Sequence, residues 1–380
     1  MDIWNMIELA GIGFGFIILI LLLRMSRGVK RYLPLMLFVF ILIFDLFSEF
    51  AIDTKLIRKI PHLLYISEPF QMLSGLLIFL YVRNIEKQRF YLQKTDWFFL
   101  IPFGISLLNY MPYYFMSSLE KLVDLKMFGG LQVDVLENIW EWNLLVMVNV
   151  GFLWAALVEL GKYNRKVKEQ CSDVQQLDLH LTQNLIKACM LTYLVMILVV
   201  YFTYFGFPYY DQLFTALELL SIALLFFIGY DAIVSGRHIQ KIQKEWAQFP
   251  VSEVSIDGHV VKYAKTGLDE DSSEKLKEKL EHYMIEHKPY LQPQIKIKDL
   301  ADMMGEASHQ ISQVINESFR QNFYEFVNMY RVNEAKLLLK NPEFKNYTLT
   351  AIGFEVGFNS KSAFYNAFKK HTGTTPAKFQ

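Results

Sequence analysis

Seven long apolar stretches separated by short polar ones fill the first 234 residues, and a more polar chain with helical periodicity fills the rest. The stretches cover residues 6–23, 33–52, 63–82, 97–116, 139–160, 185–205 and 212–234, each long enough to cross a bilayer. The pattern predicts seven transmembrane helices. The first follows Asp2 and Glu8 rather than a basic segment, and no small-residue cleavage site comes after it, so it reads as a span and not as a signal peptide. Residues 24–31, 83–94 and 162–168 carry four lysines or arginines each. The alternate connections, 53–62, 117–138 and 206–211, carry three, two and none. Under the positive-inside rule the first set faces the cytoplasm, the N-terminus lies outside, and an odd number of crossings delivers the C-terminus to the cytoplasm.

The last thirty-odd residues predict two short amphipathic helices around a turn. Thr348 is a good N-cap, and Leu349, Ile352 and Val356 share one face. Gly357 supplies the turn. In the helix that follows, Ala363, Phe364, Ala367 and Phe368 form an apolar stripe, opposite Ser362, Tyr365, Asn366 and Lys369. Hydroxyl, amide and ammonium groups on one helix face can reach base edges and phosphates. Residues 345–380 hold five lysines against one glutamate, although the whole chain is neutral.

Residues 297–319 repeat the plan. Leu300, Met303 and Met304 form the predicted buried edge, Gly305 the turn, and Ser308 the cap of the next helix. Ile311, Val314 and Ile315 point inward, while His309, Gln313, Asn316 and Arg320 form a polar stripe. Between the two units an unbroken helix is predicted over Phe323–Lys340, about 27 Å long at 1.5 Å per residue. Two recognition helices on such a rod could enter successive major grooves about 34 Å apart.

From about residue 274 to the end, a little over a quarter of the chain, the sequence resembles the AraC/XylS-type bacterial transcriptional regulators. The resemblance is carried by Asp299-Leu300-Ala301, Asn333-Glu334-Ala335-Lys336 with Leu338-Leu339, Val356-Gly357-Phe358, Phe368-Lys369-Lys370, and Gly373 with Thr375-Pro376. It implies a double helix-turn-helix domain that binds double-stranded DNA, and it suggests a homodimer. Two positions depart from the family pattern. Gly353 stands where the family usually has alanine, which should loosen that helix by somewhat under about 1 kcal/mol. Asn366 stands where many members carry arginine. The residues expected at the DNA are His309, Gln310, Gln313 and Asn316 in the first unit and Lys361, Ser362, Tyr365, Asn366 and Lys369 in the second, with Lys370 on phosphate.

Composition agrees with a membrane half: 53 % of residues are hydrophobic. The two cysteines, Cys171 and Cys189, have no partner at a spacing that suggests a disulfide, metal ligand or nucleophile. Phosphate-cradling glycine loops, HExxH and nucleophile elbows are missing, so no enzyme, cofactor or metal is expected.

Several carboxylates interrupt the apolar segments: Asp45 and Glu49 on one face of the second, Glu68 in the third beside Pro69, Glu141 at the start of the fifth, and Glu218 in the seventh. A charge at mid-bilayer costs on the order of 2.5–3.5 kcal/mol, so these groups should face the bundle interior or water. One reading is an outward-facing pocket lined by Asp45, Glu49, Glu68 and Glu218 for a small cationic or hydrogen-bonding signal. The other places them near the interface or protonated against neighbouring helices.

The sequence therefore predicts an all-α protein in three parts: a seven-span sensor or anchor over residues 1–236, a linker over 237–272, and a DNA-binding domain over 273–380. The linker should begin as a helical extension of the last span and contain at most a short hairpin. It is either a coupling element or a passive tether. The function expected is a membrane-bound one-component transcriptional regulator in a bacterial cytoplasmic membrane. The alternative is a transporter- or receptor-like protein whose C-terminal domain docks other proteins.

Overall fold

The computed structural model describes residues 3–25, 32–85, 90–127, 139–172, 179–207, 210–247 and 269–379. Among the described residues every regular element is a helix, and the single β contact is an isolated antiparallel bridge between Cys171 and Lys296. The chain divides into two compact units: residues 1–161 with 179–240, and residues 162–178 with 241–380. Most of the linker expected at 237–272, including its β-prone pieces, lies outside the described residues.

In the first unit run α1 (Ile3–Met25), α2 (Leu33–Asp53), α3 (Glu68–Gln71), α4 (Ser74–Arg83), α5 (Ile101–Phe115), α6 (Ser118–Met127), α7 (Ile139–Gln170), α8 (Leu179–Tyr204) and α9 (Tyr210–Ala247). Among the described residues six segments are helical, long and apolar enough to cross a membrane, or seven if a bent pair counts as one span. Much apolar surface stays outward, including Phe16, Ile20, Leu108, Phe115, Leu194 and Phe226. The region expected as the third span is instead a pair of helical pieces, Pro61–Gln71 and Ser74–Arg83, bent by 45°. The bend falls at Met72–Leu73, and Pro69 sits in the first turn of α3, where a missing N–H is tolerated. Tyr65 has left the helical region for φ +62°. Asn149 of α7 repairs the break. Its amide accepts from the Gly75 N–H at 2.5 Å and donates to the Gln71 carbonyl at 3.3 Å. A β-carbon on Gly75 would lie 2.7 Å from the Asn149 carbonyl oxygen, so only glycine permits that approach. α9 continues through Ala247, which includes the expected helical extension.

The second unit contains α10 (Glu270–His287), α11 (Ile297–Met304), α12 (Ser308–Ser318), α13 (Phe323–Lys340), α14 (Leu349–Glu355), α15 (Lys361–Thr372) and α16 (Pro376–Phe379). The predicted connecting helix is present with the predicted bounds. It serves two cores. Its N-terminal half gives Phe323, Phe326 and Val327 to a core built with Leu280, Leu300, Ile311, Val314 and Ile315. Its C-terminal half gives Val332 and Ala335 to a second core with Ile352, Val356, Phe364 and Phe368. Burying one such side chain stabilises by about 1.5–3 kcal/mol, so the helix is bound to each unit separately.

Local signals decide the ends. Thr348 caps α14 by accepting from the Ala351 N–H at 3.1 Å, and Ser360 caps α15 through the Ala363 N–H at 3.1 Å. Gly305 and Gly357 make the two turns at φ +68° and +93°. Four expectations fail. Ser308 does not cap α12: it is the first helical residue, and the N-cap is Ala307 with no side-chain bond. Met303 is exposed rather than buried, because α11 turns only one narrow face inward. α12 stops at Ser318, and Arg320 sits beyond it at φ +53°, off the polar stripe. Gly353 is not a loosened alanine position. A β-carbon there would meet Cβ and Cγ of Phe364 at 3.1 and 2.9 Å, so the glycine lets two helices touch.

Candidate nucleic-acid interface and an acidic cavity

In the second unit the outward face of α15 presents Lys361, Ser362, Asn366 and Lys369, all exposed. Tyr365 is half-buried, with the Lys361 ammonium 5.5 Å from its ring centroid. That contact holds a long side chain over an aromatic face and limits where its charge can go. Lys370, on the same helix, points elsewhere and forms an ion pair with Glu325 of α13. The Lys370 ammonium holds the Glu325 carboxyl below its ordinary range. His371 is held below its ordinary range by burial and then by the neighbouring Lys370.

In the first helix-turn-helix α12 presents His309 and Asn316, both exposed, while Gln310 is half-buried. Gln313 departs from the expected stripe. It is only 6 % exposed, and its Nε2 donates to Glu317 Oε2 at 3.1 Å. α12 packs against α10, α11 and α13, so its inward arc is wider than the sequence period suggests. Of the ten residues expected at DNA, Gln313 and Lys370 are thus committed within the fold, and the others lie on the accessible or partly accessible faces of α12 and α15.

Sequence periodicity misses the residue that ties the two helix-turn-helix motifs together. Arg331, in the middle of α13, is 1 % exposed. Its Nε donates to the Tyr290 carbonyl at 2.7 Å and its Nη2 to the Gln292 carbonyl at 2.7 Å. Its guanidinium carbon lies 5.6 Å from the ring centroid of Phe358, in the second turn. Asn359 adds a bond from its Nδ2 to the Pro293 carbonyl at 3.0 Å. Glu334, one of the residues shared with the regulator pattern, accepts from Lys288 Nζ at 2.8 Å and from the Tyr290 hydroxyl at 3.1 Å. A buried cation needs nearly all its donors satisfied, so this hub fixes the loop before α11 and the turn after α14 together. The available signal was an arginine between Phe326–Val327 and Val332–Ala335, on the side of α13 that the period assigns to the core.

The first unit holds a cavity of about 130 Å³. Asp45, Glu49, Glu68 and Glu218 all line it, together with Gln71, Trp142 and Tyr193. Gln71 Nε2 donates to Asp45 Oδ1 at 2.6 Å and to Glu68 Oε2 at 3.4 Å. Trp4 Nε1 donates to Glu218 Oε2 at 3.0 Å. Glu141 is used elsewhere: it accepts from the Ser106 hydroxyl and from Asn109 Nδ2, the latter at 2.7 Å. Carboxylates from three parts of the chain therefore converge, and no lysine, arginine or histidine is among the lining residues.

Residues 300–380 match the family described as Helix-turn-helix domain. The probable transcription factor PqrA of Proteus vulgaris is 31% identical over 86 residues, which are 23% of this chain and 68% of that protein. The Msm operon regulatory protein of Streptococcus mutans is 26% identical over 86 residues, 23% of this chain and 30% of its own length. An uncharacterized HTH-type transcriptional regulator of Staphylococcus aureus (strain COL) is 29% identical over 86 residues, and the chain spans only 11% of its length. Among solved structures, a Listeria innocua protein of unknown function matches at 29% identity with a TM-score of 0.23, over 27% of this chain and 91% of that one.

Proposed function

Because the chain belongs, through its C-terminal domain, to the AraC-type helix-turn-helix transcriptional regulators, we propose that it is a membrane-bound one-component regulator that binds operator DNA with α12 and α15. The observation that carries this reading is the pairing of two polar helix faces on one rod. His309 and Asn316 stand outward on α12, and Lys361, Ser362, Asn366 and Lys369 on α15, with α13 between. The length of α13, about 27 Å, suits helices entering neighbouring turns of one groove. The apolar helices anchor the protein in the cytoplasmic membrane with the DNA-binding domain inside, which the loop charges support. The cavity between Asp45, Glu49, Glu68 and Glu218 receives a small cationic signal, for which the convergent carboxylates and the Trp142 and Tyr193 rings are suited.

The full chain in lipid nanodiscs tests the DNA reading. It should enrich particular duplexes from random-sequence DNA, with affinity falling steeply as salt rises. Replacing Lys361 and Lys369 by Glu should abolish enrichment while the protein stays folded. Unchanged enrichment would end the DNA reading and favour a protein-docking domain.

A further inference from the structure

The end of α7 contributes to the second unit, to which residues 162–178 belong. Directly after the helix, Cys171 bridges Lys296 in antiparallel register, and the Ser172 N–H donates to the Ile295 carbonyl at 3.2 Å. Ser172 is 2 % exposed. It turns both its oxygens to Arg331: Nη2 donates to the Ser172 hydroxyl at 3.3 Å and Nη1 to its carbonyl at 3.5 Å. Further acceptors of that guanidinium lie in the loop before α11 and at Asn328 Oδ1, 3.3 Å away. One buried cation thus reads three things at once: the entry to the first helix-turn-helix, the turn of the second through Phe358, and the segment just beyond α7.

We propose that Cys171–Ser172 is an intramolecular docking element through which α7 sets the relation of the two helix-turn-helix units. α7 is one unbroken helix of 32 residues, and its first 23 belong to the apolar first unit. A hydrogen-bonded helix is stiff along its axis, so displacement of its upper part arrives at Ser172 without loss to a flexible tether. Withdrawing Ser172 takes two acceptors from a buried guanidinium and one strand-like partner from the loop before α11. Both changes fall on the segments that space α12 from α15. The route does not pass through residues 248–268. It rests on the DNA-binding reading only for its consequence; the docking contact itself stands apart from that reading.

Native Cys171 offers a direct test in the full chain, in nanodiscs of phosphatidylethanolamine and phosphatidylglycerol, with Cys189→Ser as background. Residues paired across an antiparallel bridge have α-carbons about 4.5–5.5 Å apart, within disulfide reach. Lys296→Cys should therefore crosslink to Cys171 on mild oxidation, read by peptide mass spectrometry, whereas Lys298→Cys should not. Adding Ser172→Pro, which removes the N–H given to Ile295, should suppress the Lys296→Cys crosslink. The oxidised Lys296→Cys protein should then differ from its reduced form by at least about fivefold in affinity for a duplex enriched by the full chain. Equal crosslinking at 296 and 298, or none at 296, overturns the docking contact. A clean crosslink with no change in affinity overturns its role in transmission. A chain that enriches no duplex at all refutes the DNA reading and the transmission with it, while the crosslink still decides the docking.

Discussion

The two helix-turn-helix units follow one plan with different chemistry. The second is capped at both helices by hydroxyls, Thr348 and Ser360, whereas the first recognition helix starts from Ala307 with no cap bond. α15 carries Lys361, Lys369 and Lys370; α12 carries no lysine or arginine and includes Glu317. The turns differ as well. A β-carbon on Gly305 meets nothing within 4 Å, but one on Gly357 lies 2.6 Å from the Tyr290 carbonyl oxygen and 3.0 Å from Arg331 Nε. The second unit is thus built against the Arg331 hub and holds the positive charge, whereas residues 297–319 of the first carry one lysine against four acidic residues. On the proposed DNA-binding reading, this difference assigns α15 the phosphate-directed attraction and α12 the base-directed choice.

The largest expected effect breaks this comparison at the turns. Both glycines have positive φ, so alanine at either costs about 1–2 kcal/mol in backbone strain alone. At Gly357 the new methyl also collides with backbone oxygen, which should bring the total to about 3 kcal/mol or more. Chemical denaturation of the Gly305→Ala and Gly357→Ala proteins, followed by a probe in the C-terminal domain, should rank them in that order by a clear margin. Equal losses would mean that the Tyr290–Arg331–Gly357 packing is not what distinguishes the units.

A second, smaller pair of effects sharpens it at the DNA. Lys361→Gln and Lys369→Gln should weaken every duplex alike, each lowering the slope of log affinity against log salt by about one. His309→Ala and Asn316→Ala should leave that slope in place and change which sequences are preferred, by about 1–3 kcal/mol per lost base contact. If the α12 variants lowered the salt slope and the α15 variants did not, the roles would be reversed.

How far the sequence exposed this arrangement depended on the range of the interactions. Periodicity located Ala363, Phe364, Ala367 and Phe368 as one buried stripe, because a helical face is a local property. Thr348, Gly305 and Gly357 were legible for the same reason: a cap and a positive φ are settled within four residues. Gln313 was not, since its burial comes from neighbours on three sides that the helix's own period does not reveal. Lys370 read as a free cation because its partner, Glu325, lies 45 residues earlier. Arg331 and Ser172, 159 residues apart, were invisible as a pair. In the N-terminal apolar half, four acidic positions were legible as exceptions in apolar segments, and only the packed helices show that they line one cavity. The break in the third apolar segment was not legible, and Asn149, the group that bonds across it, lies in another helix.

The smallest effect concerns Lys370, the α15 lysine paired with Glu325. An ion pair this open to solvent stabilises by about 0.2–1 kcal/mol. Lys370→Gln should therefore cost no more than that at neutral pH, and should change the salt slope for DNA less than Lys361→Gln does. Its pH dependence has two parts. Glu325 titrates below its usual value when folded, so its pairing stabilises fully above about pH 4.5 and is lost as pH falls through the lowered folded value. His371 is also held low, and a base that resists protonation in the fold makes the protein less stable as pH drops below about 6.5. Lys370 contributes to that second penalty, so removing it relieves His371 in the mildly acidic range while it harms Glu325 above pH 4.5. The gap in stability between wild type and Lys370→Gln should accordingly be widest above pH 6.5, narrow between 6.5 and 4.5, and close further below. A gap that widened on acidification would show that Lys370 acts on neither group as its position implies, and would return it to the set of residues free to meet phosphate.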